Sequence, residues 1–346
     1  MRAKRFALPA LVIALLGFVV WYLVFRAHFD WAAFGRQLRS TSPLHIALGI
    51  LFIYIGFLFR SWRWSVFLRP RTIVPSFSLT GTQMIGFTAV ALFGRLADLS
   101  RPYLVAKRVR SSVAEQIAVY TVERMFDMGA AALIFSSALA FAPKDMPHHE
   151  LFSRIGIFSL AGVLFLAAVA FVVRVAGVAV AHVVRRVLGS LSAPLAESVA
   201  EKILAFREGL DVISSIGEFL LAAVLSLAMW GLIAGAYVQS THAFTHEPTL
   251  AALSFPQTML LMAVSIGGSA IQLPIVGWFT QIAVTAAAMH AFYGTPLEPA
   301  TGCGALLLII TFLSVIPGGL ICAQLQSVSL SSLGKRSAEA AAEETA

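Results

Sequence analysis

The feature that most constrains this chain is a group of charged residues set inside apolar runs. It reads Phe93-Gly94-Arg95-Leu96-Ala97-Asp98-Leu99-Ser100-Arg101-Pro102-Tyr103-Leu104, then a basic loop, then Val122-Glu123-Arg124-Met125-Phe126-Asp127-Met128. An ionisable side chain at the centre of a membrane helix costs roughly 2.5–3.5 kcal/mol even on a lenient insertion scale. Six such residues cluster here, so they must pair, face water or hold something polar. The pattern points to a polar site within a membrane bundle.

Composition supports that setting. The chain is 59% hydrophobic and 12% charged, with a mean hydropathy of +0.85, outside the range of soluble globular domains. Several apolar runs approach the ~20 residues that cross a bilayer as helix. They lack the short-period alternation of barrel strands. The expected fold class is therefore all-α, a polytopic integral membrane bundle of about seven or eight membrane segments. A net charge of +8 would suggest nucleic acid in a soluble protein. In a membrane protein it reflects Lys and Arg gathered in cytoplasmic loops, and no nucleic-acid partner is expected. Cys303 and Cys322 share one apolar segment, which argues against a disulfide framework or a metal site.

Along the chain, Phe6–Phe25 reads as an uncleaved first span with a cytoplasmic N-terminus, and Arg26–Ser42 as an amphipathic interfacial stretch. Leu44–Phe59 is the second span, ending in Arg60-Ser61-Trp62-Arg63-Trp64, which looks like a cytoplasmic interface with its tryptophans as anchors. Ser76–Phe93 has basic loops on both sides. A segment that enters from the cytoplasm and returns there agrees best with the charge rule, and such turns survive at depth only when buried or lining a wet cavity. Val113–Phe141 and Ile155–Val173 are spans, Ser190–Ser215 is an amphipathic cytoplasmic helix, and Phe219–Val238 spans again. Thr258–Leu273 and Ile275–Phe292 form a second broken pair, and Thr301–Ala323 is the last span. Residues 1–330 thus form one membrane domain and 331–346 a disordered cytoplasmic tail. Two interrupted segments in corresponding halves would form an inverted repeat, the sequence pointer to a transporter binding site.

Arg95, Asp98 and Arg101 fall at i, i+3 and i+6 and would stack on one helical face, with Pro102 breaking the helix after them. A guanidinium near a broken helix end suits a phosphate, whose oxygens match its planar donors. Glu123 and Asp127 share a face of the next span beside Arg124. They would clamp Arg101 and Arg95, relay a proton, or cage an amine headgroup. Charge pairing for structure alone is the plainer alternative. No zinc-type spacing, phosphate-cradling glycine loop or Ser-His-Asp arrangement stands out, and nothing implies a metal or cofactor.

At these residues the chain resembles the lysylphosphatidylglycerol synthase transmembrane family, a flippase-like domain. The features are Arg63-Trp64, Gly94-Arg95 followed by an acidic residue and Arg101-Pro102-Tyr103-Leu104, then Glu123-Arg124-x-x-Asp127. A looser likeness covers Leu273–Gln281, with Pro274, Gly277 and Gln281 as secondary site positions. The chain has Ala97 and Asp98 where the family has glycine and glutamate, and Gln281 where an acid is common. The resemblance implies movement of a phosphate-bearing lipid, a phospholipid or an aminoacyl-phospholipid, between leaflets of a prokaryotic cytoplasmic membrane, without aminoacyl-transfer chemistry. The partners it implies are membrane phospholipids, with a second copy or a lipid-modifying enzyme as further candidates. The alternatives are a non-transporting module that anchors or regulates a lipid- or glycan-modifying enzyme, and an intramembrane enzyme acting on a lipid phosphate.

Overall fold

The computed structural model describes residues 30–142, 144, 149–189, 192–209, 215–268 and 276–330, apart from a few side chains within helices, among them those of Arg95 and Leu96. The expected first span Phe6–Phe25, Pro274 and the tail 331–346 lie outside the described residues. All regular structure described is helical. The first half comprises α1 (Trp31–Arg39), α2 (Pro43–Leu68), α3 (Ser76–Phe93), a 3-10 turn (Gly94–Ala97), α4 (Ser100–Val109) and α5 (Val113–Ala140). The second comprises α6 (His149–Gly189), α7 (Ala193–Gly209), α8 (Ile216–His242), α9 (Pro248–Ala251), α10 (Phe255–Gly268), α11 (Val276–Tyr293), α12 (Leu297–Leu308), a π turn (Ile309–Leu313) and α13 (Val315–Leu325).

Five helical stretches are long and apolar enough to cross a membrane among the described residues: Pro43–Leu68, Ser76–Phe93, His149–Gly189, Ile216–His242 and Leu297–Leu325. The chain is a polytopic membrane bundle. The 28-residue α5 is longer than most of these, but it carries Glu123, Arg124 and Asp127 in its middle. Those residues are the reason it reads as less apolar than its neighbours.

The bundle has two distinct ends. At the basic end, Ser112 and Ser215 cap α5 and α8 by accepting the backbone N–H groups of Glu115 and Glu218, each at 3.2 Å, in Ser-x-x-Glu patterns typical of helix starts. Arg71 pairs with Glu115 and Arg69 lies 4.0 Å from Glu218, tying the loop after α2 to both starts. At the far end, the N–H of Ser42 donates to Ala243 at 2.8 Å, and that of Asp30 donates to Glu298 at 3.1 Å.

Two antiparallel helical hairpins enter this frame from opposite ends. In the first, Ser100 Oγ donates to the Gly86 carbonyl (3.4 Å), Arg101 reaches Gln83 (3.3 Å), and Val105 packs in one cluster with Leu79. As α4 advances, its partners recede along α3, so both segments begin and end at the basic end. Gly94 makes the reversal possible with φ +70°, a conformation that costs a side chain-bearing residue energy. In the second hairpin, Tyr293 donates to the Gln257 carbonyl (2.9 Å) and Gln281 to Ser265 (3.0 Å), so α10 and α11 pair antiparallel from the far end.

Three expectations need correction. Pro102 does not end a helix: it stands in the first turn of α4, where its missing N–H would have no helical partner anyway. Arg95, Asp98 and Arg101 therefore do not share one helical face, because a 3-10 turn and the Asp98–Leu99 turn separate them. The span expected to stop at Val173 continues as a 41-residue helix to Gly189, kinked at Ala176 (φ −127°, ψ 23°). At 1.5 Å per residue it is about 60 Å long, roughly twice the hydrocarbon thickness.

Candidate functional site: a buried arginine–carboxylate centre

Helical spacing assembles the site. Arg60, Arg63 and Trp64 project from one face of α2, and Gln116, Tyr120, Glu123 and Asp127 from one face of α5. Arg101 arrives on α4, Gln83 and Phe87 on α3, and Ser226 and Trp230 on α8. Arg60, Glu123 and Ser226 lie eight to ten residues inward from the basic ends of their helices, or about 12–15 Å, a distance comparable to half the thickness of a bilayer's hydrocarbon core.

Glu123 is the hub. Its Oε1 accepts from Arg60 at 3.1 Å and Arg63 at 2.9 Å, and its Oε2 from Arg101 at 3.0 Å. Asp127 takes Arg63 at 2.7 Å and Arg60 at 3.5 Å, with Trp230 Nε1 donating to it at 3.4 Å. Arg63 also donates to Ser226 Oγ at 2.6 Å. The guanidiniums lie over aromatic faces: Arg101 over Phe87 (4.5 Å) and Tyr120 (4.8 Å), Arg60 over Phe87 (4.7 Å), and Arg124 over Tyr120 (4.9 Å).

Burial is close to complete for Arg63, Arg101 and Glu123, each 1% exposed, while the Arg124 side chain is 41% exposed. Arg124 lies 3.8–3.9 Å from both carboxylates, at the outer edge of the cluster. Among the described residues, three buried guanidiniums thus face two buried carboxylates, leaving positive charge in excess, with Arg124 and the partly buried Asp98 at the rim. Among the described residues, Nε of Arg63, Nε of Arg124 and Nε2 of Gln83 have no hydrogen-bond partner. Apolar layers seal the centre on both sides. Trp64, Phe67, Leu79, Val119 and Val122 lie towards the basic end; Phe57, Met84, Tyr237 and Met262 lie towards the far end.

Of the residues singled out from the sequence, the structure brings together Arg101, Glu123, Arg124 and Asp127. Asp98 is partly buried, close enough to Arg124 to act on its charge, and forms no ion pair with a described arginine. The Arg95 side chain lies outside the described residues. Gly277 is buried and Gln281 bonds Ser265 in the second hairpin, so neither takes part in the described charge network. Arg60 and Arg63, read from the sequence as an interfacial pair, are instead members of the centre, and Trp64 is a buried wall rather than an interface anchor. The available signal was their i, i+3, i+4 spacing on one face, which charge counting at helix ends obscures.

A helical bundle that keeps paired charges at this depth is a polytopic membrane protein with a polar centre built into its core. The lysylphosphatidylglycerol synthase TM region matches residues 8–322, nearly the whole chain, and the protein belongs to that family. The match is to the family's membrane region. Comparison with curated proteins and with solved structures gave no match.

Proposed function

We propose that this protein moves a phosphate-bearing lipid between the leaflets of a prokaryotic cytoplasmic membrane, without catalysing a covalent step on it. The observation that carries the reading is the excess of buried guanidinium over carboxylate at mid-depth. A buried uncompensated cation is costly, and a phosphate oxyanion matches a guanidinium in charge and geometry. Arg124, the exposed member, makes the first contact from the bilayer, and Arg101 on the α3–α4 hairpin receives the charge as the hairpin shifts. In this reading the basic end and both termini face the cytoplasm. The two hairpins are re-entrant segments of an inverted repeat that open alternately to the two sides. Membrane phospholipids are the partners, and a second copy of the chain or a lipid-modifying enzyme is compatible with the same surface.

The test is transfer of a fluorescent-headgroup phosphatidylglycerol across reconstituted vesicles, read by an impermeant quencher. Wild type accelerates transfer over protein-free vesicles. Arg124→Ala and Arg101→Ala each reduce the rate by roughly tenfold or more, the loss that one charge-assisted hydrogen bond represents, and Arg124→Lys recovers part of it. Wild type no faster than empty vesicles would overturn the reading in favour of a non-transporting module, and a new lipid product would overturn it in favour of an enzyme.

A further inference from the structure

Beside the charged centre, on the opposite flank of α5, lies a cavity of about 750 Å³ between α5, α6 and α8, with Val199 and Ile203 of α7 lining one side. Its walls are apolar and include Met125, Gly129, Leu133, Leu166, Val169 and Ala170. The polar side chain in that lining is Ser226, whose hydroxyl is already committed: it donates to the Ala222 carbonyl at 2.7 Å and accepts from Arg63 at 2.6 Å. Water would find too few partners there, because a buried water needs two to four. The wall is also open to the outer surface of the protein. Met128 is 72% and Leu166 66% exposed, and only 6% of the apolar stretch of α6 is buried within the protein.

We infer that this cavity is the hydrocarbon-chain subsite of an anionic lipid whose phosphate sits at Arg124. On the α5 surface, Arg124 stands between the Glu123–Asp127 face and the Met125–Met128 wall, so one molecule reaches both. The excess positive charge of the centre selects a head of net negative charge and disfavours an aminoacylated head that carries extra ammonium groups. Ser226 touches both compartments, coupling occupancy of the chain cavity to the position of Arg63. This inference rests on the proposed phosphate reading of the same centre and adds where the chain lies and which head charge is accepted.

The test uses the full chain in phosphatidylethanolamine–phosphatidylglycerol vesicles doped with a phosphatidylglycerol carrying a diazirine on one acyl chain. After irradiation, label is expected on the inner wall, in the α8 peptide containing Ala223 and Ser226, and excess unlabelled phosphatidylglycerol competes it away. Gly129→Trp projects into open space, since a Cβ there meets nothing within 4 Å, and should lower wall labelling roughly tenfold. Arg124→Ala should lower labelling by the phosphatidylglycerol probe but not by a diacylglycerol with the same chains. A lysyl-phosphatidylglycerol competitor should be weaker than phosphatidylglycerol. Label confined to the outer face of α6, or a wall signal indifferent to Gly129→Trp, overturns the subsite. Equal competition by the lysylated lipid overturns the charge selection. Wall labelling in a protein that moves no lipid would sink the transport reading and leave the subsite standing, and transport without wall labelling would do the reverse.

Discussion

Glu123 accepts from three arginines on two different helices, and its carboxyl group is what allows them to coexist in the core. Removing one partner of a buried pair strands the other and typically costs about 3–5 kcal/mol. Glu123→Ala should therefore destabilise the protein by at least that amount, because Arg60, Arg63 and Arg101 all lose an acceptor and only Arg60 and Arg63 retain Asp127. Adding Arg101→Met should return part of the loss, since one stranded charge is then gone. Thermal unfolding in detergent of the two single variants and the double variant measures this. A double variant as unstable as the sum of the singles would contradict the pairing. At this scale the sequence was informative where charge interrupts an apolar run, as at Glu123, Arg124 and Asp127. It misled where charge sits near a run's end. Arg60 and Arg63 stand at the edge of the apolar stretch of α2, but that helix continues to Leu68, which carries both arginines well inside the bundle.

The elements were legible when a single property fixes them. Apolar length gave the principal helices, and basic loops on both sides of Ser76–Phe93 gave the expectation that the chain turns back. The local geometry of the turn was not legible, because Pro102 fits the first turn of a helix as well as it fits a break after one. The α3–α4 hairpin depends on Gly86, where an added Cβ would overlap the Cγ of Arg101. Backbone and stem pass too closely at that point for any side chain. Gly86→Val should push α4 away from α3 and withdraw Arg101 from Glu123, so its transport defect should match that of Arg101→Ala. Combining the two substitutions should then cost little beyond either alone, since coupled sites are non-additive. Rates from the vesicle assay give the comparison, and multiplying defects would show that Gly86 acts elsewhere. By contrast, the bidentate Arg185–Glu197 bridge between α6 and α7 (2.8 and 2.9 Å) is solvent-exposed and contributes little.

For the whole molecule, two hairpins that begin at opposite ends require a definite sidedness. The loop after α2 and the loop between α4 and α5 both belong to the basic end: Arg71 pairs with Glu115, and α4 runs back along α3 to reach Arg110. The loop after α8 belongs to the far end, where His242 contacts the Leu253 carbonyl and Ser42 bonds Ala243. If α3 were a full crossing with no return, Arg71 and Arg110 would lie on opposite faces of the membrane, and the charge rule would be violated at one of them. The α4 helix spans only ten residues, about 15 Å, too short to cross a bilayer of roughly 30 Å. It is long enough to return from the depth of Arg101 to the surface. Single cysteines in a Cys322→Ser background separate the two topologies, because Cys303 is fully buried. Arg71→Cys and Arg110→Cys should react with an impermeant maleimide from the cytoplasmic side alone, and His246→Cys from the opposite side alone. Labelling of Arg71→Cys and Arg110→Cys from different sides would separate Arg101 from the end at which its helix must emerge, and the hairpin could not carry the charge inward.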